Sequence, residues 1–148
     1  MEKNKHRIGF FFKWCFDRIV ALIGLVVLFL PLLIIAILIK LDSNGPIFFM
    51  QTRIGKNGKP FGLYKFRSMR VGSDAEGLLT VGERDNRITR IGYVLRKTKI
   101  DELPQLLNVL KGDMSLVGPR PEVRKYTDMY TEEQRKVLCV RPGITDYA

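Results

Sequence analysis

The chain has 148 residues, which is enough for one domain plus a membrane segment and too few for two ordinary domains. Its 25 Lys and Arg residues outnumber its 15 Asp and Glu residues, and the formal net charge of +10 favours anionic partners such as nucleic acid, acidic lipid headgroups or phosphorylated small molecules. A single histidine and two cysteines argue against a histidine-based metal site, a Ser-His triad and a disulfide framework.

The first predicted element is a membrane segment. Residues 19–39 read IVALIGLVVLFLPLLIIAILI, and as a helix this uncharged run is long enough to cross a hydrocarbon core of about 30 Å. Residues 1–18 mix aromatic and basic side chains, as expected of an interfacial lead-in. We therefore predict that the N-terminal part of the chain contacts the membrane.

Pro31 interrupts this apolar run. It cannot donate to the carbonyl of Val27, and its ring forces a helix to bend. Basic residues also occur on both sides of the run, whereas the positive-inside bias normally distinguishes the two ends of a spanning helix. A re-entrant helix over residues 19–40, which breaks at Pro31 and returns to the same face, accounts for both observations. A kinked spanning helix is the alternative that the residues leave open.

Residues 41–148 are predicted to form a basic cytosolic domain that starts with a β-hairpin. IFFMQTRIG at residues 47–55 and FGLYKFRSM at residues 61–69 have strand composition, and Asn57-Gly58 between them is a hairpin turn signal. Residues 71–86 are rich in glycine and charge and are predicted to form a loop.

The rest of the chain is predicted to be mostly helical. Helical spacing marks residues 89–98, and a second helix is predicted to start with Asp101 as its N-cap. Its apolar face would consist of Leu103, Leu106, Leu107 and Leu110. Further helices are predicted over residues 121–130 and after a capping box at Thr131 and Gln134. The predicted fold is thus α+β: a proline-broken re-entrant membrane helix, then a small, mostly helical domain with a β-hairpin.

Two adjacent acids, Asp101 and Glu102, lie in a strongly basic part of the chain. Such a pair suits chemistry on a phosphate ester, because the cations hold the anionic substrate while a carboxylate attacks or binds a metal. A plainer interpretation is that both are capping acids at a helix start. The loop MSLVGPRP favours the first interpretation, since it adds backbone amides and Arg120, which can bind phosphate in a bidentate manner.

Lys65 and Arg67 are a second candidate for phosphate binding. They are two residues apart on a predicted strand and therefore share a face. They could pair with the phosphate of a lipid or of a nucleotide. The alternative is a solvated basic edge that discourages strand pairing.

Three motifs in order carry a resemblance to a known family. RIGKNGKPFGLYKFRSM, then ITRIGYVLRKTKIDELPQLLNVLKGDMSLVGPRPE, then RPGIT are similar to segments of the bacterial sugar transferases called monotopic phosphoglycosyl transferases. The resemblance covers nearly the whole chain, including Phe16-Asp17-Arg18 and the proline-broken helix. It implies a re-entrant helix in one leaflet, in contact with membrane lipid, and an active site on the cytosolic face of the bacterial inner membrane.

The resemblance also implies a reaction. Family members transfer a sugar-1-phosphate from a nucleotide sugar, usually a UDP-sugar, to a polyprenyl phosphate such as undecaprenyl phosphate and release UMP. They thereby start the assembly of surface polysaccharides or glycoconjugates. The family's acid dyad falls on Asp101 and Glu102. Asp101 would attack the β-phosphate and form an aspartyl-phosphosugar intermediate, and Glu102 would position or deprotonate the acceptor.

The same resemblance assigns roles to cations. Mg²⁺ would bridge Asp101 and the diphosphate of the donor. Arg96 and Arg120 match basic positions of the family and are expected to hold phosphates. Lys65, Arg67 and Arg141 are expected as further phosphate-binding residues.

One departure from the family bears on activity. Family chains normally continue for several dozen residues beyond the RPGIT motif, whereas this chain stops at Ala148, so we expect an incomplete catalytic domain. The competing hypothesis is therefore a catalytically inactive, membrane-anchored module that binds anionic lipid or a glycan precursor. The acid pair argues against it, because a pure anion binder gains nothing from two acids. Without a base-reading motif, we expect no nucleic-acid partner; the oligomeric state stays open and is compatible with a homo-oligomer.

Overall fold

The computed structural model describes residues 2–73 and 85–146. In chain order, its principal helices are α1 (Glu2–Val27), α2 (Phe29–Asp42), α3 (Arg90–Thr98), α4 (Gln105–Lys111), α5 (Arg124–Thr127) and α6 (Glu132–Arg135). Its strands are β1 (Phe48–Ile54), β2 (Pro60–Phe66), β3 (Ser115–Val117) and β4 (Gly143–Thr145). Strand β1 pairs with β2, and β3 pairs with β4 in parallel. The predicted α+β class is confirmed.

A break at Leu28 separates α1 from α2 and lies upstream of Pro31. Pro31 falls in the first turn of α2, where its nitrogen would have no intrahelical acceptor in any case. One continuous helix would instead leave the carbonyl of Val27 without its donor and press it against the proline ring. The predicted break is therefore confirmed, and its position shifts from Pro31 to Leu28.

The membrane-spanning capacity of α1 and α2 depends on taking them together. In the described part of the chain, no single helix combines the length and the apolar character needed to cross a membrane. The bent pair formed by residues 9–27 and α2 meets that requirement by length and composition alone.

The chain divides into two compact units. The first unit comprises Met1–Val27, Gln51–Leu63 and Gln105–Ala148, and the second comprises Leu28–Met50 and Tyr64–Pro104. In the first unit, α1 packs on α4 and β3 around a core of four buried residues: Ala21, Leu63, Val109 and Met114. In the second unit, α2 packs on α3 around a core of Ile39, Phe66 and Leu95.

The predicted β-hairpin is present as β1 and β2. A short 3₁₀ turn, Lys56–Gly58, connects the two strands. Asn57 and Gly58 have φ values of 57° and 72°, the left-handed conformation that the Asn-Gly pair adopts easily. Of the predicted loop at 71–86, residues 74–84 lie outside the described residues. Its two ends meet where Met69 and Ile88 form an antiparallel bridge.

The helix predictions for the second half of the chain are only partly correct. Helix α3 is confirmed, with Thr89 as an N-cap whose hydroxyl accepts from the amide of Gly92 at 2.9 Å. The prediction that Asp101 is an N-cap is wrong. Ile100–Glu102 is a 3₁₀ turn and α4 starts at Gln105. The reason is Pro104, which cannot donate to the carbonyl of Ile100 and so prevents α-helical bonding before it.

Residues 121–130 also differ from the prediction, because only Arg124–Thr127 is α-helical there. The carbonyls of Pro121 and Glu122 are instead bound by β1: Arg53 Nη1 donates to the first at 3.2 Å and the amide of Ile54 donates to the second at 2.8 Å. These bonds keep the segment extended. The capping box at Thr131 and Gln134 is confirmed at the start of α6.

Candidate functional site

A tight turn between α3 and α4 holds the acid pair. Helix α3 ends at Lys99, which adopts a left-handed conformation with φ of 60°. The 3₁₀ turn follows at once and carries Asp101 and Glu102. The side chain of Asp101 is buried in this turn, with 9% of the residue exposed.

The carboxyl group of Asp101 is in an unusual environment. Its Oδ1 atom is buried and has no hydrogen-bond partner among the described residues. Burial raises the pKa of Asp101, because a low-dielectric environment disfavours the charged form, and the nearby carboxylate of Glu102 raises this pKa further. The positive charges of Lys65, Arg96 and Lys99 act in the opposite direction and lower it.

Lys65 contacts the acid pair directly. Its Nζ atom donates to Oε1 of Glu102 at 2.8 Å, and 18% and 21% of the two side chains are exposed. A charge-assisted bond of this length, shielded from most solvent, fixes the orientation of both groups. The structure therefore brings Lys65 and Arg96 together with Asp101 and Glu102, within the second unit.

Lys99 is a member of this cluster that the sequence reasoning did not single out as a site residue. The signal that could have found it is its position two residues before Asp101, in a turn that brings its charge back toward the acid.

Arg67 occupies a different place from the one expected. It is buried, with 5% of the residue exposed, and lies at the C-terminal end of α2. Its Nη1 donates to the carbonyl of Asn44 at 2.8 Å. Its Nη2 donates to the carbonyl of Ser43 at 2.6 Å, to Oγ of Ser43 at 2.9 Å and to the carbonyl of Ile39 at 3.4 Å. In this structure the guanidinium of Arg67 is thus bound to protein oxygen atoms.

Arg120 and Arg141 belong to the first unit. Arg120 is exposed in the loop that follows β3, and Nε of Arg141 donates to the carbonyl of Gly112 at 2.7 Å. The loop is held by β4, because the amide of Gly143 donates to the carbonyl of Pro119 at 2.9 Å. A Cβ atom at Gly143 would meet the amide nitrogen of Gly118 at 2.1 Å, so this approach requires glycine. Phosphate binding by these arginines stays a prediction.

The carboxyl group of Asp101 has the chemistry of a magnesium ligand. Among residues 9–73 and 85–146, no group of three or more His, Cys, Asp or Glu side chains could hold a metal ion without further ligands. Magnesium, however, is often bound through one or two carboxylates plus substrate phosphates and water. The buried, partnerless Oδ1 of Asp101 is a suitable protein ligand for such an ion.

Comparison with known proteins finds relatives of this chain. The chain is 48% identical over 142 residues to the UDP-N-acetylgalactosamine-undecaprenyl-phosphate N-acetylgalactosaminephosphotransferase of Aeromonas hydrophila. This match covers 93% of this chain and 33% of that protein. It is 50% identical over 143 residues to the exopolysaccharide production protein PSS of Rhizobium leguminosarum bv. phaseoli, with coverages of 92% and 72%.

A third relative is the UDP-glucose:undecaprenyl-phosphate glucose-1-phosphate transferase of Caulobacter vibrioides, at 48% identity over 134 residues. The match covers 88% of this chain and 50% of that protein, so the chain spans a third to a half of the length of the Aeromonas and Caulobacter relatives. Residues 8–148 match the model of the bacterial sugar transferases, and the chain therefore belongs to the bacterial sugar transferase family.

Proposed function

We propose that the chain is a phosphoglycosyl transferase that moves a sugar-1-phosphate from a UDP-sugar to a polyprenyl phosphate and releases UMP. The observation that carries the proposal is the environment of Asp101, a buried carboxylate with a partnerless oxygen and with Lys65, Arg96 and Lys99 close enough to act on its charge. The choice of substrates is supported by two relatives, whose names combine a UDP-sugar with undecaprenyl phosphate.

In the first step, a carboxylate oxygen of Asp101 attacks the β-phosphorus of the UDP-sugar. The bond from this phosphorus to the bridging oxygen breaks, and that oxygen leaves with UMP. A phosphosugar then remains bound to Asp101 as an acyl phosphate. A carboxylate is a reasonable nucleophile here, because the neighbouring cations offset the negative charge of the diphosphate as it approaches.

In the second step, a phosphate oxygen of the polyprenyl phosphate attacks the same phosphorus. The bond to Asp101 breaks, the carboxylate is restored, and the product is a polyprenyl diphosphate sugar. Glu102 would position the acceptor or take its proton. The ion pair with Lys65 supports this role, because it fixes the Glu102 carboxylate beside Asp101.

We further propose that Asp101 is a protein ligand of Mg²⁺. When bound there with the substrate diphosphate, the ion would offset the repulsion between the carboxylate and the phosphates.

We also propose that the α1–α2 pair forms a re-entrant element in the bacterial inner membrane, with the acid pair on the cytosolic face. Both helices expose large apolar side chains to an extent unusual for a protein in water. The most exposed of these are Phe12, Val26, Val27, Phe29 and Leu41, at 66–79%. Lipid is the partner of matching chemistry.

The test is release of UMP by the protein in nanodiscs with undecaprenyl phosphate, Mg²⁺ and a panel of UDP-sugars. We expect UMP release with at least one UDP-sugar. Release of more than one UMP per protein molecule should require the acceptor. Asp101→Asn should lower the rate about a thousandfold or more, because an amide oxygen is not a nucleophile at phosphorus. Turnover that survives Asp101→Asn would remove Asp101 as the nucleophile, and silence across the panel would favour the inactive binding module.

A further inference from the structure

Two basic side chains at the end of β2 bind different parts of the second unit. Lys65 forms the ion pair with Glu102, and Arg67, two residues later, binds the end of α2. Phe66 between them is 2% exposed and packs with Ile39 of α2 and Leu95 of α3. All of these residues belong to the second unit. A short, buried stretch of chain thus links the end of α2 to the acid pair.

Arg67 binds oxygen atoms at the C-terminal end of α2 and in the turn just after it. The last carbonyls of a helix have no intrahelical donor and form the negative end of the helix dipole. Arg67 provides donors to the carbonyls of Ile39, Ser43 and Asn44 and to the hydroxyl of Ser43. Its amide also donates to the carbonyl of Ile47 at 2.9 Å, so the backbone of this residue is fixed as well.

The turn after α2 is shaped around this guanidinium. Gly45 has φ of 131°, and a Cβ atom there would meet Nη1 of Arg67 at 2.0 Å. Any other residue at this position would be strained in its backbone and would displace the arginine. The close approach of Gly45 therefore marks the Arg67 contact as a tightly packed feature.

We infer that Arg67 is a positioning residue that holds the end of α2 at a fixed place relative to the acid pair, and thereby sets how a membrane-bound acceptor reaches Asp101. The inference rests on the proposed transferase function. It gives Arg67 a role other than the predicted one of phosphate ligand, because Nη1 and Nη2 of this side chain already donate to protein oxygens.

The kinetic test separates the two substrates. Arg67→Met should raise KM for polyprenyl phosphate by about tenfold or more. The rate at which label exchanges between UMP and UDP-sugar without acceptor should stay within about threefold of the wild-type rate. The two effects differ because the donor arrives from solution and the acceptor from the bilayer. Arg67→Lys should restore part of the loss, and Gly45→Ala should reproduce it. Arg70→Met, at an exposed arginine nearby, is the matched control and should change neither quantity.

Equal losses in donor exchange and in acceptor use by Arg67→Met would overturn the inference, as would no loss at all.

A second readout does not depend on activity. Spin labels at Asn44 and Lys97, two exposed positions of the second unit, report the distance from the end of α2 to α3 in a background with Cys15→Ser and Cys139→Ser.

We expect the distance distribution between these labels to broaden in Arg67→Met and to stay unchanged in Arg70→Met. A distribution that is unchanged in Arg67→Met would refute the positioning role even if the wild-type protein transferred no sugar. Failure of the proposed function would instead appear as silence of the wild-type protein in donor exchange, with the broadening still observed.

Discussion

The environment of Asp101 is unfavourable for the folded chain but suits the chemical role that we propose for this residue. Burial disfavours its charged form, and the chain leaves its Oδ1 atom without a hydrogen-bond partner among the described residues. Buried groups with a shifted pKa are often found where chemistry occurs. The cations around the carboxyl limit the perturbation, since Lys65, Arg96 and Lys99 all favour the ionised form.

The contribution of Lys65 can be tested through the pH dependence of the reaction. The nucleophile must be ionised, so kcat/KM should rise as the pH increases through the pKa of Asp101. Lys65 lowers this pKa, and its removal in Lys65→Met should therefore raise it. We expect the acidic limb of the pH–rate profile to move to higher pH. Lys97→Met, at an exposed lysine of α3 that does not act on Asp101, should leave the limb in place.

An acidic limb at the same pH in Lys65→Met and in the wild type would contradict this account of the Lys65 charge. A fall in rate without any shift would mean that Lys65 contributes only through its bond to Glu102.

At the scale of elements, the break between α1 and α2 is the feature on which the proposed re-entrant topology depends. The break follows from a single residue, because Pro31 is accommodated in the first turn of α2 but not in the middle of one long helix. Two helices in place of one also explain why neither alone meets the requirement for a spanning helix.

Pro31→Leu should convert the pair into a continuous helix and favour a spanning topology. Leucine restores the donor for the carbonyl of Val27 and is a good helix former. Cysteines introduced at Lys3 and Asn44 should both react with an impermeant thiol reagent applied from the cytosolic side in the wild-type chain. In Pro31→Leu, one of them should become protected. Leu30→Ala is the control and should keep both accessible; equal labelling in Pro31→Leu would refute the proposal.

At the scale of the whole molecule, the features that local sequence patterns determine were predictable. The β1–β2 hairpin follows from strand composition and an Asn-Gly turn, and α3 follows from its helical spacing. The acid pair and Arg96 were recognisable because they are nearly adjacent in the chain, whereas the contact of Lys65 with Glu102 is a long-range one. The assignment of residues 1–18, 19–40 and 41–148 as separate regions stays a prediction, since α1 runs without interruption through residue 18.

The features that depend on long-range contacts were not predictable. The parallel pair of β3 and β4 is only three residues long on each side, which is too short for a periodic signal. The position of Arg67 depends on the backbone carbonyls of Ile39 in α2 and of Ser43 and Asn44 just after it, and side-chain patterns do not predict contacts with backbone carbonyls. The start of α4 was misplaced because Asp101 was predicted as its cap, whereas Pro104 delays the helix to Gln105.

The most direct test of the central claim is the intact mass of the protein after incubation with a UDP-sugar and Mg²⁺ in the absence of acceptor. We predict a mass increase equal to one sugar phosphate, located on Asp101 and removed when polyprenyl phosphate is added. The increase should be absent in Asp101→Asn. Sugar transfer by the wild-type protein with no such adduct at any time, or an adduct that persists in Asp101→Asn, would contradict covalent catalysis by Asp101.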